Sequence, residues 1–192
     1  QMCIRDSLWV IWVIKKILSL YSMSQIIITS PTSTGTTKTY ASFYDTSIQT
    51  QTLANADIPV TFNTQDLNGG IDLPTPSQIQ VHQDGVYSMT FSIQFTNANV
   101  QTQDANVFLK KNGMFLDNSN SKISIHSSHG GVDGALILTL NFFLELIAED
   151  FIEVWWNTTS TDVKIYTIPV VPVPPVGFTP QTPSIILTIN QI

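Results

Sequence analysis

Residues 85–95, Gly-Val-Tyr-Ser-Met-Thr-Phe-Ser-Ile-Gln-Phe, decide the fold of this chain. From Tyr87 to Phe95 every second residue is large and apolar, and the residues between them are Ser, Thr or Gln. A period of two is typical of a β-strand with one buried and one exposed face. Such a strand cannot bury its apolar face alone, so we expect the rest of the chain to supply a second sheet.

Further short strands are predicted on both sides of this stretch. They cover 40–45, 58–62, 79–81, 106–111, 114–116, 122–125, 163–168 and 184–192. Asn112-Gly113, between two of them, is the strongest signal for a two-residue hairpin turn. Turn signals recur between the others, which favours an all-β sandwich of antiparallel strands, and a jelly roll is the common double-sheet form at this length.

The apolar segment 135–156 has two interpretations. A helix would place Leu136, Leu140 and Phe143 on one face, whereas two strands would be joined by a turn at 148–150. We favour the strands, because no N-cap residue precedes Ala135 and every neighbouring segment is β-like.

The chain divides into three regions by sequence. Residues 1–7 resemble the translation of a sequencing adapter, and we expect 1–22 to be this artefact plus an untranslated leader rather than a signal or anchor. Residues 23–39 are expected to form an extended arm, whose Ile triplet at 26–28 packs either on a neighbouring subunit or on its own domain. The domain is predicted over 40–192, with a proline-rich extended loop at 169–183 that does not join a ladder.

Composition narrows the classes of partner. The net charge is −6, with 8 basic and 14 acidic residues. An acidic chain is repelled by phosphate backbones, which argues against nucleic-acid binding. The longest apolar run near the start is too short to span a bilayer, so no membrane insertion is expected.

Several segments together resemble the globular-head domain of complement-like proteins, which shares a jelly roll with tumour necrosis factor. The matching segments, in chain order, are Tyr40-Ala-Ser-Phe, Val60-Thr-Phe-Asn, Gly85-Val-Tyr, Leu109-Lys-Lys-Asn-Gly, Leu138-x-Leu140, and Ala148-Glu-Asp with Val154. The chain departs from the family at Glu149, where the family has glycine, and in the proline-rich segment.

The resemblance implies a homotrimer that presents loops to a partner. We expect a non-enzymatic structural or adhesion module, similar to an environmental phage protein of the virion or tail that binds a host-surface glycan or protein, or decorates the particle. The alternative is a secreted or surface-displayed bacterial protein of the same fold that binds glycans or matrix. The expected location is therefore the virion or the extracellular space, or else the bacterial cell surface.

Doubled apolar residues supply the candidates for an interface or a ligand site. Neighbouring residues of a strand face opposite sides, so Trp155 and Trp156 cannot both enter one core. The same holds at Phe142 and at Ile186, each beside another apolar residue. Another subunit could cover the outward residues, or a loop or second sheet of the same chain could.

Catalytic and metal signatures are weak. The sequence has no Gly-x-Ser-x-Gly, no phosphate-binding glycine loop and no His-Glu-x-x-His, and its one cysteine, Cys3, lies in the presumed artefact. His126 and His129 share a loop and could gather a metal on a three-fold axis, while Asp66 and Asp72 lie near turns that could bind calcium. We favour the interpretation that these histidines and aspartates are ordinary polar residues of loops and turns, and we expect no cofactor.

Overall fold

Alternating side chains build a sandwich of two antiparallel sheets in the computed structural model, which describes residues 38–172 and 178–192. Those residues contain no helix, and the all-β prediction is confirmed. The strands are β1 (Tyr40–Asp45), β2 (Gln49–Thr50), β3 (Ile58–Pro59), β4 (Thr64–Gly69), β5 (Ile71–Thr75), β6 (Gln78–Val81), β7 (Gly85–Asn97), β8 (Gln103–Lys111), β9 (Met114–Phe115), β10 (Ser121–Ile125), β11 (Gly134–Leu146), β12 (Phe151–Thr158), β13 (Val163–Ile165), β14 (Val171–Pro172), β15 (Phe178–Thr179) and β16 (Ile185–Gln191).

The first sheet is organised around β7, which is 13 residues long. Its order is β11-β7-β16-β1-β4, and β13 with β2 extends the β16 side of β7. β11 pairs with β7 along its whole length, from Gly134 opposite Asn97 to Leu146 opposite Gly85. The long stretch that the alternation predicted is therefore the central strand of this sheet.

The second sheet has the order β10-β8-β12-β6-β5, with β3 added to β12 and β9 to β8. The turn between β8 and β9 is Asn112-Gly113, and both residues have positive φ, 52° and 78°. Positive φ at both central positions is what a type I′ hairpin requires, so the predicted hairpin is confirmed. The two-strand interpretation of 135–156 is also confirmed, by β11 and β12.

The inward side chains of the two sheets form one core. Tyr87, Met89, Phe91, Ile93 and Phe95 of β7 are all buried. Aromatic pairs cross between strands, and the ring centroids of Phe95 and Trp156 are 5.9 Å apart. Contact of this kind adds to the area term that dominates core stability.

The proline-rich segment corrects a prediction. The expected loop at 169–183 contains a short ladder, in which β14 pairs with β15. Outside that ladder, Ile168 and Thr182 exchange two backbone hydrogen bonds of 3.0 and 2.8 Å. Proline removes only its own donor, so a segment keeps its carbonyls and its non-proline N–H groups for pairing at an edge.

Two other local predictions were incomplete. Neither β4, Thr64–Gly69, nor β5, Ile71–Thr75, was predicted from the sequence. Gly70, between them, has a φ of 90°, a left-handed conformation that favours glycine. The predictions for the leader at 1–22 and for the arm up to residue 37 lie outside the described residues.

Candidate functional site

The two neighbouring tryptophans point in opposite directions from β12. Trp156 is 0% exposed and lies in the core, so it is covered by its own chain. Trp155 lies on the outer face of the second sheet, where the Lys110 ammonium is 3.4 Å from its ring centroid. Its indole N–H donates to Glu153 at 3.2 Å. Trp155 is therefore the one of the pair that a ligand could approach.

The other two candidates of that group also separate. Phe142 faces inward and its ring stacks on Phe91, with centroids 6.1 Å apart. The outward position beside it is Phe143, which is 69% exposed. Ile186 is 44% exposed and faces outward from β16 in the first sheet. Trp155 and Ile186 thus belong to different faces of the sandwich, and the structure does not bring the four candidates together.

Four neighbouring strands of the first sheet share an outer face that is nearly uncharged. We call the outward positions of β1, β16, β7 and β11 the β7 face. It comprises Tyr40, Ser42, Tyr44, Ile186, Thr188, Asn190, Val86, Ser88, Thr90, Ser92, Gln94, Thr96, Ala135, Ile137, Thr139, Asn141, Phe143 and Glu145. Glu145 is the only charged residue among them.

Hydrogen bonds between neighbouring strands order the middle of the β7 face. The Asn141 amide donates to the Thr90 hydroxyl at 2.6 Å, and the Thr139 hydroxyl donates to Ser92 at 3.3 Å. Exposed apolar side chains, among them Tyr40 and Phe143, flank these polar rows. The surface therefore offers apolar contact area with few groups that would need a charged partner.

A cavity of about 440 Å³ opens on the outer face of the second sheet, and it is lined by Phe108, the residue opposite Trp155 in the register. Asn106 of β8 and Asn157 of β12 lie opposite each other in the register and share its floor. We call this cavity the amide groove. Its lining is completed by Asp57, Phe108, Phe115, Leu116, Asp117, Asn118, Ser119 and Asn120.

The side-chain amides of the groove form a directed chain of hydrogen bonds. Asn120 donates to Asn106 at 3.3 Å, and Asn106 donates to Asn157 at 2.9 Å. Asn157 then donates to the Asp57 carboxylate at 2.7 Å. The chain runs from one side of the groove to the other, so four polar side chains hold one another in place.

His82, which follows β6, lies between two carboxylates. His82 Nε2 is 2.8 Å from Asp72 and Nδ1 is 2.9 Å from Glu149. The contacts with Glu149 and then Asp72 raise the pKa of His82, and the contact with His82 lowers the pKa of Asp72. All three side chains are substantially exposed. Asp72 is thus placed in an ion pair with His82.

The remaining metal candidates do not converge on Asp72. His126 and His129 lie in the exposed loop before β11, and Asp66 is exposed on β4. Within 38–172 and 178–192, no three His, Cys, Asp or Glu side chains are grouped so that they could hold a metal ion. The same residues include no helix that is long and apolar enough to cross a membrane.

Sequence reasoning missed the amide groove. Asn106 and Asn157 are 51 residues apart, and nothing in either local segment shows that they are opposite each other. The available signal was the alternation of β8 and β12, which places Asn106 and Asn157 on the outer face of the sheet.

Comparisons with known proteins do not assign a family. No family model matches the chain, and no curated protein matches it significantly. The resemblance to complement globular heads stays a prediction that rests on the quoted segments.

Proposed function

We propose that this sandwich is a jelly roll of the complement globular-head and tumour necrosis factor type. The order of pairing supports the proposal. β1 pairs with β16, β6 with β12, β7 with β11 and β8 with β10. The pairs are nested, so the first strand meets the last and the innermost two meet each other, as in one long antiparallel ribbon that has been rolled up. Nested pairing is what a jelly roll, a rolled double-sheet sandwich, requires, and this nesting supports the proposal.

The position of Glu149 also supports the resemblance. Its φ is 70°, a left-handed conformation that favours glycine. The family has glycine at the matching position, before the aspartate that corresponds to Asp150. A chain that departs in residue type but keeps the backbone conformation is what a divergent relative would show.

We further propose that the protein assembles as a homotrimer through the β7 face, and this face is the observation that carries the proposal. Copies with a net charge of −6 repel one another, so a stable contact should avoid carboxylates. Among the residues that define the β7 face, Glu145 is the one carboxylate. The cores of subunit interfaces are likewise depleted of charged residues, and they are enriched in aromatic ones. Tyr40 and Phe143 supply exposed aromatic area on the β7 face. The number three comes from the resemblance alone.

The role proposed for such a trimer is structural or adhesive, without catalysis. On a phage virion or tail, the loops and the second sheet of the trimer would contact the host surface. Alternatively, the trimer would decorate the particle. The amide groove is also compatible with the alternative role, that of a secreted or surface-displayed bacterial protein that binds glycans or matrix. Genes for capsid or tail proteins beside this one would favour the phage assignment, and genes for cell-envelope proteins would favour the alternative.

The decisive experiment is the solution mass. Light scattering coupled to size exclusion should give three times the chain mass of 21.3 kDa. The chain beginning at Met23 should give the same stoichiometry if the first 22 residues are dispensable. A stable monomer at micromolar concentration would contradict the assembly and leave the sandwich unaffected.

A further inference from the structure

We propose that the amide groove is a binding site for neutral oligosaccharides. The groove has the size of a small-molecule site, at about 440 Å³, and it combines amide side chains with an apolar wall. The proposal names a ligand class for the adhesive role proposed above and rests on that role only in part. A monomeric protein would keep the groove, because one chain supplies all of its lining residues.

The hydrogen-bonding capacity left on the floor matches sugar hydroxyls. An asparagine amide has two N–H donors and an oxygen with two lone pairs. Asn106 and Asn157 each use one donor and one lone pair within the chain of amides. Each therefore keeps one donor and one acceptor for a ligand. Adjacent hydroxyl groups of a sugar, which both donate and accept, can satisfy such paired groups.

The wall of the groove offers an apolar surface for the C–H faces of a sugar ring. Phe115 is 64% exposed, so much of its ring is open to a ligand. It packs against Phe108 at 5.6 Å between ring centroids, and this contact fixes the ring beside the amides. Aromatic rings with polar groups beside them suit ligands that have both apolar and hydroxyl-bearing faces.

The charges of the groove select against acidic sugars. Among the described residues that line it, Asp57 and Asp117 alone are charged. Lys110 keeps its charge over the Trp155 and Phe115 rings but does not line the groove, and Lys122 is paired with Asp104 at 2.7 Å. A sulfated, phosphorylated or sialylated ligand would therefore meet two carboxylates, whereas a neutral sugar can donate hydroxyl protons to them.

The groove is held in shape before any ligand arrives. The buried Ser119 hydroxyl donates to the Leu116 carbonyl at 2.6 Å and accepts the Leu109 N–H at 3.0 Å. A backbone bond of 3.0 Å from Leu116 to Leu109 fixes the same loop to β8. Preformed geometry reduces the entropy lost on binding, so weak individual contacts can add up to measurable affinity.

The test is calorimetry on the 192-residue chain with a panel of defined probes. The neutral probes are oligosaccharides of the cello-, malto-, manno- and chito- series, and the acidic probes are sialyllactose and a heparin-derived oligosaccharide. We expect at least one neutral series to bind and both acidic probes to bind at least tenfold more weakly. No binding by any neutral probe, or tighter binding of the acidic ones, would overturn the proposal.

Variants localise the site. Phe115→Ala and Asn106→Asp should each weaken the neutral probe about tenfold, which is about 1.4 kcal/mol. Asn63→Asp is the control for Asn106→Asp, because it makes the same charge change at an exposed position outside the groove. Val100→Ala is the control for Phe115→Ala, because it removes exposed apolar area elsewhere. Neither control should alter binding. Unchanged affinity in both groove variants would place the ligand elsewhere and refute the assignment.

The mass of each sample, measured alongside, separates the two proposals. A trimer that binds no sugar refutes the groove alone, and a monomer that binds one refutes the assembly alone. Thermal melts confirm that each variant is folded, and because two chemically different variants are used, misfolding of one leaves the other as the test.

Discussion

Asn112, in the turn between β8 and β9, is joined by hydrogen bonds to Asp150, in the turn between β11 and β12. The Asn112 amide donates to the Asp150 carboxylate at 2.7 Å, and its oxygen accepts the Phe151 N–H at 3.0 Å. Asp150 is 5% exposed, yet it also accepts the Ile147 N–H at 2.9 Å and pairs with Lys111 at 2.7 Å. Burial raises the pKa of Asp150, but the hydrogen bonds from Lys111 and Asn112 outweigh it and hold that pKa below its usual range.

Replacing Asp150 should therefore destabilise the fold. Asp150→Ala leaves a backbone N–H and the Asn112 amide without their acceptor, and we expect the free energy of unfolding to fall by about 2–3 kcal/mol. Because the native pKa is lowered, this stabilisation is present above the ordinary aspartate pKa and is lost as the pH falls through the native value. Urea melts at pH 7 and pH 3 should show the gap to wild type narrowing at pH 3. Asp133→Ala, on an exposed loop, is the control; an equal gap at both pH values would contradict this account.

At position 149 a glycine variant should be more stable than an alanine variant, which reverses the usual order. The φ of 70° at Glu149 disfavours any side chain with a Cβ, by roughly 1–2 kcal/mol. Both Glu149→Ala and Glu149→Gly remove the contact with His82, so the difference between them isolates the backbone. We expect the glycine variant to be more stable by about 1 kcal/mol in urea melts. Asp133, changed to the same two residues, should not show glycine as the more stable.

The His82 contacts predict a defined pH dependence. Its raised pKa means that the stabilisation is complete below the ordinary histidine pKa and is lost as the pH rises through the native value. The stabilisation from the pair of Asp72 and His82 is also lost at low pH, because Asp72 becomes protonated as the pH falls below the ordinary aspartate pKa and through its lowered native value. The ring proton shifts of His82 in an NMR titration should have a midpoint above about 6.5, and Glu149→Gln should lower it. A midpoint that Glu149→Gln leaves unchanged would show that the carboxylate does not set the pKa.

How far the sequence predicts the fold depends on the kind of strand. β7 was predictable because from Tyr87 to Phe95 its inward residues are large and apolar and the residues between them are polar. β4, Thr-Gln-Asp-Leu-Asn-Gly, has no such alternation, and its pairing with β1 decides its conformation. The proline-rich ladder escaped prediction because proline shows which donors are missing, but not which carbonyls face one another.

The candidate sites were less predictable than the fold. Alternation correctly separates Trp155 from Trp156, but it cannot say which one enters the core. That choice is made by the register of β12 with β8, which sets Trp155 opposite Phe108 on the outer face. The amide groove depends on the same register together with a loop and a segment from another part of the chain, so no local pattern contains it.

The core assignment of β7 gives a direct prediction. Phe91→Ala removes a ring that is 1% exposed and stacks on Phe142, so we expect the free energy of unfolding to fall by about 3–5 kcal/mol. Phe115→Ala, the same change on an exposed ring that contacts Phe108 and Lys110, should cost no more than about 1.5 kcal/mol. Urea denaturation followed by tryptophan fluorescence measures both. A loss below about 1 kcal/mol at Phe91 would contradict its place in the core.

The β7 face gives the last prediction, because one charge at its centre should prevent assembly without unfolding the chain. Thr188 is exposed on β16 and lies opposite Thr90 and Ser42 in the register. In an assembly through this face, Thr188→Glu would bury a carboxylate without a partner, which is strongly unfavourable. We expect light scattering to give the mass of a monomer, with little change in the melting temperature of the isolated fold. Thr102→Glu, in an exposed loop off this face, should stay assembled. If Thr188→Glu assembles like wild type, the contact between subunits lies on another surface, and the outer face of the second sheet becomes the next to be tested.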